Sequence, residues 1–138
     1  MPKPFPMNLK GFHKFGDLLG IEFTKFEEGY SQCALRINEN HFNPHKVVHG
    51  GVLYSMADTG MGAALYSLLE NDELCATVEI KISYFKSVKE GTILCDTKVI
   101  HKGKSIGSLE SEIKKEGLLV AKAYGTFSIF KVEKIQKK

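Results

Sequence analysis

Asp58 is the only formally charged residue between Lys46 and Glu70. An ionised carboxylate buried in so apolar a run costs several kcal/mol unless something compensates, which makes Asp58 a candidate general base or nucleophile. Upstream stand Gly50 and Gly51. A helix that begins there leaves backbone N–H groups unpaired and aims the positive end of its dipole outwards, which is the construction of an anion or oxyanion site. Without side chains, the two glycines would let a carbonyl oxygen approach the backbone, where each donor stabilises a developing oxyanion by roughly 3 kcal/mol. Asn43, in the loop before them, could orient a water or a ligand carbonyl. Each feature also has a purely structural reading. The glycines would serve a sharp chain entry, Ser55 or Thr59 would satisfy Asp58, and a loop asparagine commonly closes its own turn.

His41, His45 and His49 recur every four residues, a spacing that on a helix would make a metal-binding face. Pro44 interrupts them and glycines follow, so no helix and no metal site are expected there. His13 and His101 have no evident partner. The sequence contains no GxSxG, no Walker loop and no dinucleotide fingerprint, and no separate cofactor is expected. Cys33, Cys75 and Cys95 are odd in number and lack a CxxC pair, so they read as buried thiols in a reducing cytoplasm rather than as a disulfide frame.

The elements that must position these groups follow from periodicity. From Val52 to Leu69 twelve of eighteen positions are apolar and no proline intervenes, which predicts one helix over about 50–69. Its apolar residues are not confined to one stripe, so it should be covered on most of its circumference. Leu9, Phe12, Phe15, Leu18 and Leu19 predict a short helix over about 9–19, ended by Gly20. IEFTKFEE and SQCALRI alternate as a first hairpin around Glu28, Gly29 and Tyr30. After the long helix, Val78, Ile80, Ile82 and Tyr84 alternate with Thr77, Glu79, Lys81 and Ser83 as a half-buried strand. Three more strands follow, joined by the tight turns KEG, HKGK and KKEG, and a basic tail closes the chain over 131–138.

Antiparallel strands joined in this way bury one face, and the long helix is the element available to cover it. The fold class is therefore α+β, a single domain over 1–138 with a curved antiparallel sheet wrapped around a central helix. Gly60, Gly62, Ala63 and Ala64 on the helix and Ala121, Ala123 and Gly125 on the last strand should permit close approach.

With 138 residues, 43% of them apolar and 25% charged, the chain reads as one soluble globular domain. A net charge of +3 is too small to argue for nucleic acid but suits a small anionic ligand. Prolines break the N-terminus where a secretion signal needs its apolar run. His49, Asp58, four glycines and several hydroxyls argue against a membrane span over 47–69, so the expected location is the cytoplasm.

Asn43, His49-Gly50-Gly51 beginning six positions on, and Ala57-Asp58 beginning six positions after Gly51 together resemble the motif of the hotdog-fold acyl-CoA thioesterases, in the branch that includes the phenylacetate-pathway enzyme. The resemblance covers roughly residues 15 to 130 and implies the same helix-in-sheet fold. It implies that Asp58 is the catalytic carboxylate, that the Gly50 N–H polarises the thioester carbonyl and that Asn43 helps place the thioester or water. It further implies that Thr77 holds the attacking water and that His49 supports the loop near the thioester. It places Gly51 among the substrate contacts and Lys104, in the HKGK turn, near the nucleotide part of coenzyme A, with Lys86 and Lys46 as further candidates for its phosphates. Because such sites lie between subunits, the resemblance implies at least a homodimer, with a homotetramer as the fuller assembly. The chain departs from the family at Lys46, where a glycine is frequent, so the loop is expected either to run differently or to offer added positive charge. The implied activity is hydrolysis of an acyl or aryl-acyl thioester to free coenzyme A and a carboxylic acid. The rival readings are an acyl-CoA-binding protein without turnover and an enoyl-CoA hydratase or dehydratase on the same fold. Phe42, Tyr54, Met56, Met61 and Tyr66 suggest an apolar or aromatic acyl pocket, for medium-chain or aryl groups, although core packing accounts for them equally.

Overall fold

A computed structural model describes residues 3 and 10–132 of the chain. The elements run α1 (Lys14–Leu19), β1 (Ile21–Glu27), β2 (Tyr30–Arg36), a 3-10 turn (Glu39–His41), α2 (Gly50–Tyr66), β3 (Glu73–Tyr84), β4 (Thr92–Lys102), β5 (Ile106–Lys115) and β6 (Leu118–Lys131). All strands join one antiparallel sheet in the order β1-β2-β4-β5-β6-β3, and α2 packs against it, as the alternation of apolar residues requires. Residue 9, the expected start of the first helix, and positions 133–138 of the basic tail lie outside the described residues.

The core has two lobes along α2. Val52, Leu53 and Met56 pack with Ile21, Phe23, Leu35 and Ile93, and Ala57, Met61, Ala64 and Leu65 pack with Leu109, Ala123, Phe127 and Ile129. Between helix and sheet runs a small buried polar seam. Ser31 Oγ donates to Gly60 O at 2.7 Å, Thr97 Oγ1 and Ser111 Oγ share a bond of 2.6 Å, and the thiols of Cys33 and Cys95 both face Met56 O. Close approach is built in here, because a methyl group at Gly60 would stand 2.7 Å from Thr97 Oγ1.

Four details differ from the sequence reading. The first helix begins at Lys14 rather than near residue 9, because Gly11 takes the left-handed conformation (φ 86°) and residues 10–12 form a turn. Helix α2 stops at Tyr66 rather than near Leu69, because Leu68 N–H bonds to Leu65 O and Leu69 N–H to Tyr66 O, tightening the last turn to 3-10 geometry. The β3 alternation is broken by a bulge between Thr77 and Glu79. Val78 is the extra residue and is 58% exposed, so Thr77 and Ile80, expected on opposite faces, both turn towards α2. Finally, α2 is not covered all round. Gly51, Tyr54, Ser55, Asp58, Thr59, Gly62 and Tyr66 remain exposed or half-exposed at intervals of three and four, an open stripe down one side of the helix.

Candidate active site

Asp58 lies on that open stripe. It is half-buried rather than enclosed in the core, so its desolvation cost is smaller than the sequence suggested. Its partner is neither Ser55 nor Thr59. Ser55 Oγ donates to Gly51 O at 2.8 Å, whereas Thr77 Oγ1 donates to Asp58 Oδ1 at 2.6 Å, a short charge-assisted bond from the residue the bulge has turned inwards. Both residues line a cavity of about 290 Å³, with Phe12, His13, Thr59, Gly62, Ala63, Cys75, Ala76 and Phe127. Because the threonine hydroxyl spends its one proton on Oδ1, its lone pairs can accept from a water, and Oδ2 is free to receive a proton.

At the other end of the stripe, His49 caps α2. Its Nδ1 accepts the Gly51 N–H at 2.7 Å, and its carbonyl takes the Val52 N–H at 2.9 Å. Gly51, expected among the substrate contacts, thus has its amide already engaged. The Gly50 N–H has no partner among the described residues and is the donor left for an incoming oxyanion. Tyr84 Oη donates to Gly50 O at 2.9 Å, and a methyl group at Gly50 would stand 3.0 Å from Tyr84 Cζ, so the ring holds the helix entrance and favours glycine there. Gly50 and Tyr84 line a second cavity, of about 360 Å³, with Val48, Leu53, Phe85, Lys86, Ser87 and Val88.

The donor and the carboxylate are thus not brought together within one chain. Eight residues of helix separate them by roughly 12 Å along the axis, and they line different cavities. Within the single chain, Asp58 therefore does not face a ligand held at the start of its own helix.

The preceding loop is a tight turn. Asn43 Oδ1 accepts the N–H groups of His45 (2.8 Å) and Val47 (3.3 Å), and Asn43 O accepts that of Lys46 (2.9 Å). The asparagine closes its own turn through its oxygen, and its Nδ2 is the group left to donate outwards. Lys46 has φ 64°, the left-handed conformation that glycine adopts without strain, so the turn keeps a glycine-type bend with an exposed lysine in it. Lys86 lines the Gly50 cavity. Lys104 is exposed in the turn between β4 and β5 and lines neither cavity.

The histidine series does not converge. His41 is buried, its Nδ1 accepting from Asn38 N–H and its Nε2 bonding to Leu19 O at 2.6 Å, while His49 caps the helix. The aromatic and methionine residues expected to form the acyl pocket are placed elsewhere as well. Met56 and Met61 are fully buried in the core, Tyr66 lies beneath Lys3 Nζ at 4.4 Å, and none of the five lines the Asp58 cavity. That cavity instead takes Phe12 and His13 from ahead of β1 and Cys75 from β3, a juxtaposition without local signal in the sequence. Burial pushes the Cys75 thiol up to about 11, Lys3 opposing and Asp58 adding to the shift, so it stays a protonated wall residue.

Residues 45–122 match the family model described as the thioesterase superfamily. A Saccharolobus solfataricus relative whose name assigns it provisionally to the esterases is 33% identical over 116 residues, covering 83% of this chain and 77% of that one. The 1,4-dihydroxy-2-naphthoyl-CoA hydrolase of Listeria monocytogenes is 28% identical over 100 residues, 72% of this chain and 81% of that one. Among solved structures, a conserved protein of Pseudomonas aeruginosa superposes with a TM-score of 0.83 at 31% identity, covering 86% of this chain and 95% of that chain.

Proposed function

We infer the reaction from a premise that the family match supplies: the chain belongs to the thioesterase superfamily. The function that fits is hydrolysis of an acyl-CoA thioester, and the observation that carries it is the Thr77–Asp58 bond of 2.6 Å on the wall of a cavity otherwise largely apolar. A water seated on Thr77 gives a proton to Asp58 as its oxygen adds to the thioester carbonyl. The resulting oxyanion needs backbone donors, and the free Gly50 N–H has the right chemistry. Collapse of the tetrahedral species breaks the C–S bond. The proton on Asp58 passes to the departing thiolate, leaving a carboxylic acid and free coenzyme A.

Since the Gly50 and Asp58 of one chain line different cavities, the complete site in this reading takes Gly50 from a second copy of the chain. A long edge strand, β3, with Leu74, Val78 and Tyr84 exposed along it, supports pairing with such a copy. Lys86 beside Gly50, and the exposed Lys46 and Lys104, offer positive charge for the phosphates of coenzyme A. The water-activating role is favoured over direct attack by Asp58 because Thr77 supplies both an anchor for the carboxylate and a seat for the water.

The test is a panel of acyl-CoA esters of different chain length and breadth, followed by release of free thiol. Turnover of at least one ester, with the thioester consumed, is the expected result. Tight binding without thiol release would favour the non-catalytic acyl-CoA-binding reading, and chemistry on the acyl chain with the thioester intact would favour the hydratase.

A further inference from the structure

Gly62 sits in the interior of α2, where glycine is the least favoured residue after proline. Packing does not ask for it. Among the described residues, a methyl group there would meet one atom, Phe127 Cε2, at 4.0 Å, an ordinary contact. One turn earlier on the same open stripe is Asp58, and both residues line the cavity of about 290 Å³. A side chain at 62 would therefore project into that cavity beside the carboxylate, between the rings of Phe12 and Phe127 and the small residues Ala63 and Ala76.

We infer that Gly62 sets the breadth of the acyl group this site accepts, its missing side chain leaving room for a broad, ring-bearing acyl group next to Asp58. The inference rests on the thioesterase reading of the same cavity. Among the described residues of its own chain, the helix gives up propensity at this position and gains no contact in return, and what it keeps is space. The rings of Phe12 and Phe127 suit an aromatic occupant, whose edge and face they can meet.

The experiment compares the wild-type protein with Gly62→Ala and Gly62→Leu, reading the thermal midpoint and kcat/KM for benzoyl-CoA and acetyl-CoA. The wild type should prefer benzoyl-CoA. Gly62→Ala should raise the midpoint by about 3 °C, since alanine is the better helix former and meets no clash. It should also lower the benzoyl-to-acetyl ratio of kcat/KM about tenfold, as an added methyl group in a fitted pocket does. Gly62→Leu should lower that ratio roughly a hundredfold. A ratio unmoved in Gly62→Ala, a wild type that prefers acetyl-CoA, or a midpoint that falls in Gly62→Ala would overturn the inference while leaving the hydrolase reading intact. A wild type that releases thiol from no ester would overturn the hydrolase reading itself, and the inference with it.

Discussion

On the sheet side of α2 a methyl group at Gly60 would come within 2.7 Å of Thr97 Oγ1, whereas on the open side one at Gly62 would stand 4.0 Å from Phe127 Cε2, the nearest side-chain atom among the described residues. The rest of the helix divides in the same way. Met56, Met61, Ala64 and Leu65 on the sheet side are fully buried, and Gly60 O is held by Ser31. On the open side Gly51, Ser55, Asp58, Thr59 and Gly62 are short and three of them polar, with Tyr54 and Tyr66 as the large residues. One side is packed against the sheet, and the other is open, where the proposed function seats its ligand. A substitution on the sheet side should therefore change stability first, and one on the open side should change turnover or selectivity first.

The largest effect should come from the entrance to the open side. Gly50→Pro removes the unpaired N–H, and the first turn of a helix tolerates proline once the Tyr84 ring, 3.0 Å from where a Cβ would stand, gives by a few tenths of an ångström. His49 already has the extended backbone that a following proline requires (φ −64°, ψ 136°). Thiol release should fall about a hundredfold with the far-ultraviolet circular dichroism unchanged. Retained activity would remove the Gly50 amide from the mechanism. On the sheet side, Gly60→Ala should cost about 2 kcal/mol, because Thr97 cannot yield without losing its bond to Ser111. Its thermal midpoint should fall, opposite in sign to that of Gly62→Ala, and two shifts of the same sign would dissolve the contrast. Smallest is Lys46→Gly in the loop that feeds the open side. Relief of the left-handed lysine should stabilise the fold by about 1 kcal/mol in chemical denaturation, and a loss of stability would mean that the lysine's contacts outweigh its backbone strain.

The elements that frame this division were legible in the sequence, but the division itself was not. The succession of strands along the chain and the central helix follow from periodicity, which is a local property, and the resemblance supplied the motif from Asn43 to Asp58. The break at Val78 was not legible, because a valine in a bulge looks like any other strand former, and only the pairing of Thr77 with Phe127 and of Glu79 with Thr126 reveals the extra residue. That bulge brings Thr77 to Asp58, although the alternation alone would set it on the face opposite Ile80. The open stripe was hidden for a related reason. Ser55, Gly62 and Thr59 are as compatible with a covered helix as with a bare one, and what covers a helix is decided by distant strands. Phe12, His13 and Cys75 reach the cavity from positions far apart in the chain, so no window of sequence contains the pocket. The apolar residues that the sequence offered instead, Met56 and Met61, are where large apolar residues of a central helix ordinarily go, in the core.

The most direct test of the account is thiol release by Asp58→Asn, measured beside its thermal midpoint on the acyl-CoA ester that the wild type hydrolyses fastest. Asparagine keeps the size and a hydrogen-bond acceptor for Thr77 but cannot take a proton from water. The account predicts a loss of roughly a hundredfold or more in kcat, with a midpoint near that of the wild type. An undiminished kcat in the folded variant would contradict it.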